Sequence, residues 1–136
     1  MKNILTICLA VIMLACSNNS VPVATADNNA AFTLQLHELK NINGGIDYIR
    51  FDSVLTDSRC PKGVYCVWQG IATVKLLIGN KTEQQTFNLS TTKFKKNSTD
   101  TVLLGYKIEL IDLQPHPDNK TTTIQPPAAS LKITRQ

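Results

Sequence analysis

The chain lacks a G-x-x-x-x-G-K-S/T phosphate loop, a G-x-S-x-G elbow and an H-E-x-x-H pair. Those gaps take P-loop nucleotide chemistry, the α/β-hydrolase mechanism and zincin-type proteolysis out of first consideration. Histidine occurs only as His37 and His116, the only residues left to complete a zinc site with a cysteine pair, and they lack the close pair spacing such sites use. The segment 116–118 with Asp112 offers at most a weak metal contact, so neither a metal nor a cofactor is expected. Serines and aspartates are common enough to assemble a Ser-His-Asp set on paper, yet no spacing singles one out. An enzyme is not expected. No stretch keeps a 3.6-residue period, and Pro or Gly interrupts each candidate helix. Strong charge of either sign is missing too, since 14 Lys and Arg face 10 Asp and Glu. The mild excess gathers in "KFKK" (93–96), read as a solvated loop, and a nucleic-acid role is not expected.

Long apolar runs are also scarce. The longest, "ILTICLAVIML" (4–14), follows the positive Lys2 and is too short to span a bilayer, which takes about 20 residues. It stops at "MLACSNNS", where the small Ala15 precedes Cys16. This junction resembles the lipobox of bacterial lipoproteins, with Met13 and Leu14 where Leu and a small residue are more usual. The resemblance implies cleavage before Cys16, a diacylglycerol thioether on its sulfur and an acylated amine, which together give stable membrane anchoring. The alternative is an ordinary signal peptide with a chance cysteine. Ser17 in place of an acidic residue implies, by the same resemblance, an outer membrane with the domain facing the periplasm. Residues 1–15 are thus the expected signal and 16–30 a polar tether from lipidated Cys16, leaving 31–136 as the folded domain. Loss of Lys2, the only charged residue of the first fifteen, lowers the net charge from +4 to +3.

Cysteine is sparse. With Cys8 in the signal and Cys16 lipidated, Cys60 and Cys66 are the only thiols of the mature domain. In an oxidising compartment such a pair reads first as a disulfide. A redox pair and a metal clamp remain as alternatives, but the C-x-x-C spacing at a helix start is absent. Pro61 and Gly63 suit a tight turn inside the ring.

What the mature chain does have is alternation with period 2. One strand is expected over 31–40, with Phe32, Leu34 and Leu36 on one face. A second follows the Asn-Gly-Gly turn, with Ile49, Phe51, Ser53 and Leu55 facing one way. A long third strand over 66–79 would carry Cys66, Trp68, Gly70, Ala72, Val74, Leu76 and Ile78 on one face. In that register Trp68 is core and covers the disulfide, and Gly70 gives the indole room. A hairpin turn at 78–81 leads back through Phe87 and Leu89. Residues 105–113 place Tyr106, Ile108 and Leu110 on one face, with Ile111 and Leu113 opposed. A proline-rich loop over 114–130 precedes the closing strand 131–135. Six or seven such strands, all turn-connected, predict an all-β single domain: an antiparallel β-sandwich, immunoglobulin-like or an open barrel.

The segment "DSRCPKGVYCVWQGIATVKL" (57–76) resembles a group of small exported bacterial lipoproteins whose signature is D-S-R-C-P, then C-x-W-x-G-x-A-x-V after a short ring. "GYKIELIDLQPHP" (105–117) resembles the group's second signature, an aromatic-led strand ending in Leu-x-Pro-x-Pro. The resemblance implies a shared β-fold and the Cys60–Cys66 staple, and brings no catalytic residue. The expected role is a non-catalytic envelope module, tied to the bilayer through Cys16 and contacting an envelope protein or glycan. Candidate contacts are Lys62, Val64 and Tyr65 on the strapped loop, and the loop around His116. The alternative is a protease inhibitor that offers Lys62 to a trypsin-like pocket from a rigid loop.

Overall fold

Alternating β-branched and aliphatic residues can bury one side only by pairing into sheets, and among the described residues eight antiparallel strands do so. The computed structural model describes residues 30–42, 44–119 and 125–136. The signal 1–15, Cys16 and the tether up to residue 29 lie outside the described residues. The strands are β1 (Ala31–Gln35), β2 (Leu39–Asn41), β3 (Tyr48–Asp57), β4 (Ala72–Gly79), β5 (Gln84–Ser90), β6 (Asp100–Leu103), β7 (Tyr106–Gln114) and β8 (Ala128–Arg135). They form two four-stranded sheets, ordered β1-β8-β7-β6 and β2-β3-β4-β5.

The sheets pack face to face as a single-domain β-sandwich, as the alternation predicts. Ala72, Val74, Leu76 and Ile78 of β4 and Leu89 of β5 meet Ile108 and Leu110 of β7 and Ala129, Leu131 and Ile133 of β8. Each large aliphatic or aromatic side chain buried in this way contributes about 1.5–3 kcal/mol. The strand order is that of two meanders, and the chain changes sheet only after β1 and after β5. An immunoglobulin sandwich divides its strands differently, with non-consecutive strands together in each sheet.

Four expectations of register are corrected. Residues 31–40 are not one strand: the chain turns at Leu36 and His37, where His37 has φ 67, and passes from one sheet to the other. In β3, shifts between Phe51 and Ser53 and again between Val54 and Thr56 insert extra residues. Val54 therefore packs against the core while Leu55 is exposed. A third bulge, between Leu110 and Asp112 of β7, turns Ile111 out and returns Leu113 to the core. Strict alternation fails wherever a bulge adds one residue, because every later side chain then changes face. Finally, β4 begins at Ala72 rather than at 66, and β8 begins at Ala128 rather than at 131.

These elements leave two dissimilar ends. At one, the buried Tyr106 accepts a hydrogen bond from the Gly45 amide at 2.9 Å. Nearby, the Asn80 carboxamide oxygen caps the β4–β5 turn by accepting from the Thr82 and Glu83 amides. The other end gathers the loops 58–71, 91–99 and 115–119.

Candidate functional site

The strapped loop continues the β3–β4 pairing past the strands. Ser58 N–H donates to the Ile71 carbonyl at 2.9 Å and Cys60 N–H to the Gln69 carbonyl at 3.0 Å. Beyond Cys60 the chain turns, with Val64 N–H donating to the Pro61 carbonyl at 3.2 Å and Gly63 at φ 75, the positive angle a type II turn needs at that place. Cys60 and Cys66 are joined by a disulfide, six positions apart. The expected staple is present. Lys62 N–H also donates to the Pro117 carbonyl at 2.9 Å, so the ring is tied to the 115–119 loop as well as to itself.

Behind the ring lies an arginine clamp. Arg59 is 7% exposed. Its Nε and Nη2 donate to the two oxygens of Asp57 at 2.9 and 2.7 Å. Nη2 also donates to the Pro115 carbonyl at 3.0 Å, and Nη1 to the Leu113 carbonyl. The planar guanidinium is suited to this work because it offers several donors in a fixed fork. His116 closes the back of the clamp. Its Nε2 lies 2.9 Å from the Cys60 carbonyl, which can only accept, so Nε2 carries a proton. Its Nδ1 faces Arg59 Nη1 at 3.5 Å. Burial acts to raise the Asp57 pKa, but the hydrogen bonds from the Arg59 side chain and amide, aided by the guanidinium charge and by His116, outweigh it and hold the carboxyl below its usual range. The two sequence segments therefore meet in space: Arg59, held by Asp57, and Cys60 of the first bind Leu113, Pro115 and His116 of the second.

Trp68 is not where the alternation put it. The indole is 53% exposed and stacks edge-on against Phe94, with ring centroids 5.2 Å apart. Residues 66–71 form no strand, so the period-2 register of β4 does not extend back to Trp68. Gly70 is required for a different reason from the one expected. It has φ 67, and a Cβ there would come within 1.8 Å of the Ser58 carbonyl oxygen. The close neighbour is the backbone of the opposite strand, not the indole.

Of the four candidate contact residues, Lys62, Val64 and Tyr65 project from the ring into solvent, while His116 is half-buried beneath it with both ring nitrogens engaged. The exposed set extends to residues that the sequence did not mark. Val67 projects fully, and Phe94 from the 91–99 loop stands beside Trp68 with Lys95 Nζ 5.3 Å from its ring. Phe94 carried one usable signal, an aromatic residue amid three lysines in a loop. Arg59 was visible only as part of a signature, with no role.

A cleft of about 200 Å³ lies beside the clamp, lined by Arg59, Gln69, Thr91, Thr92, Asp112 and His116. Several of its polar groups already serve the fold. Thr91 Oγ1 accepts from Ala72 N–H at 3.1 Å, and Asp112 accepts from Leu113 N–H at 2.8 Å. Among the described residues there is no group of three or more His, Cys, Asp or Glu able to hold a metal ion, and no helix long and apolar enough to cross a membrane. Comparison with protein-family models, curated proteins and solved structures finds no match.

Proposed function

We propose that this chain is a non-catalytic binding module of the bacterial cell envelope. Acylated Cys16 holds it to a membrane, the outer membrane on its periplasmic face, and residues 31–136 present the stapled loop end to a partner. One observation carries this reading: Val64, Tyr65, Val67, Trp68 and Phe94 are all exposed at one end, on loops whose backbone is fixed. Clustered exposed apolar side chains mark interaction sites on soluble domains. Fixing the loop beforehand lowers the ordering cost of binding. The disulfide supports export, because such bonds persist in oxidising compartments. No observation favours the inhibitor reading, since the amide of Lys62 is bound to Pro117 and its residue sits at a turn rather than on a free extended segment.

The test is intact mass of protein taken from its native envelope, before and after reduction. Cleavage before Cys16, added acyl mass and a gain of two hydrogens on reduction are expected. A soluble, unacylated product, or free thiols at Cys60 and Cys66, overturns the anchored, exported reading.

A further inference from the structure

We infer that the partner of the stapled loop end is an anionic phospholipid surface, the headgroup layer of the membrane that holds Cys16. This rests on the anchored reading above and names its partner.

The shape of the patch favours lipid. Tyr65 and Val67 are 102% and 106% exposed, so they stand clear of the surface as tips. A soft headgroup layer accepts separate tips, whereas a protein partner would need a matching pocket for each. The residue types agree. Trp and Tyr settle at the level of membrane headgroups, where an apolar ring and a polar handle are both satisfied. Lysines beside them keep their ammonium groups at the phosphates while their stems lie along apolar surface. Here Lys95 stacks on Phe94 and Phe94 on Trp68, a continuous ladder from cation to indole.

Charge points the same way. Segments 58–71 and 91–99 contain Arg59, Lys62, Lys93, Lys95 and Lys96 and no carboxylate. Arg59 is paired with Asp57 and Lys93 with Asp100, which leaves Lys62, Lys95 and Lys96 as the cations of this end, against Asp112 in the cleft. Asp118, bridged to Lys62 through the backbone, is the one acid of the adjoining 115–119 loop. Basic residues near an anionic leaflet each strengthen attachment within a Debye length of the surface.

Geometry permits the contact. Fourteen residues separate Cys16 from Ala31, a reach of up to about 50 Å. From Ala31, β1 runs to Gln35, which pairs with Ala128, itself opposite Gln114 at the clamp. The tether therefore joins β1 at its end away from the patch, and it must span back along this five-residue strand, about 17 Å, which its extended length exceeds. Tethering converts docking into an intramolecular event, so weak insertion becomes populated.

Trp68 is the only tryptophan, and its fluorescence reports this one site. The test uses the processed, full-length mature protein reconstituted into vesicles of phosphatidylcholine alone or mixed with phosphatidylglycerol, with and without brominated acyl chains. Blue-shifted emission and bromine quenching are expected in the anionic vesicles, with water-like emission in phosphatidylcholine. Replacing Lys62, Lys95 and Lys96 together by Gln should shift the docking equilibrium about a hundredfold toward water. Val67→Ser, at a side chain outside the core, should shift it about tenfold. Trp68 that stays unquenched in every vesicle overturns the inference. So does protection that appears only on adding envelope proteins or peptidoglycan, which would make the partner a macromolecule. Intact mass of the same sample reports acylation separately: an unacylated product sinks the anchor, while quenching on added vesicles still decides the docking.

Discussion

The two ends of the sandwich are closed by different physical means. The end around Tyr106 supports itself by burial: Ile42, Ile46 and Tyr106 all belong to the apolar core, and the turn residues 44–47 and 80–83 leave no large apolar side chain exposed. The opposite end has no such support, because no residue from 58 to 71 enters the core. A disulfide and a buried arginine hold it in place of apolar contacts, while its apolar side chains face water. A loop whose position costs a desolvated charge, and whose hydrophobic residues are turned outward, is the feature on which the proposed binding role rests.

The sharpest way to break this comparison is Arg59→Met. It removes donors to Asp57 and to the Leu113 and Pro115 carbonyls, leaving buried acceptors unpaired. A loss of about 3 kcal/mol is expected in urea unfolding, reduced from the full cost of a broken buried pair because Asp57 is partly exposed. Arg59→Lys should restore little of it, since one ammonium cannot reach the same fork of acceptors. Smaller, at about 2 kcal/mol, is the cost of replacing both Cys60 and Cys66 by Ser, because the ring they close is short. At the other end Tyr106→Phe deletes one hydrogen bond to Gly45 and should cost about 1 kcal/mol. If Tyr106→Phe proves the costlier of the two hydrogen-bond deletions, the ends do not differ as argued.

The sandwich was legible in the sequence because β8 alternates along its length and β4 does so from Ala72 to Leu76, and a period of two requires no knowledge of partners. Where the sequence misled, the cause was a bulge or a turn that alternation cannot register. Ile111 and Leu113 are separated by one residue, as any same-face pair is, yet the bulge puts them on opposite sides. Alternation puts Trp68 in the core only by extending the β4 register backwards through Gly70, whose positive φ ends that register. The disulfide was readable from the cysteine count taken together with the export signal, which leaves one pair in an oxidising compartment. The clamp was not, because Arg59 and Pro115 are 56 positions apart and nothing local pairs a guanidinium with distant carbonyls.

Acid should probe the clamp more gently than mutation does. The folded pKa of Asp57 is depressed, so its contribution is complete above the unfolded value near 4 and is lost as pH falls through the lower folded value. Stability measured from about pH 5 down to pH 2 should therefore decline, and Asp57→Asn should flatten part of that decline. Asp100 acts with the same sign, lowered by the hydrogen bond from Lys93 and then Lys107, but it sits at the surface. About 1 M salt should remove most of the Asp100 contribution and leave more of the Asp57 contribution, because partly buried pairs are screened less.

The smallest effect is the one that tests what the outward-facing side chains are for. Tyr65→Ser and Val67→Ser alter the two most exposed apolar positions, and neither side chain belongs to the core. Each should leave unfolding within about 0.5 kcal/mol of the parent, as surface substitutions away from structural features do. The reason is specific: both side chains are already hydrated in the folded state, so truncating them removes no buried area and opens no cavity. A cost above about 1 kcal/mol for either would mean that the loop end is held partly by apolar packing after all. The arginine and the disulfide would then no longer be its distinguishing supports, and the contrast with the Tyr106 end would disappear.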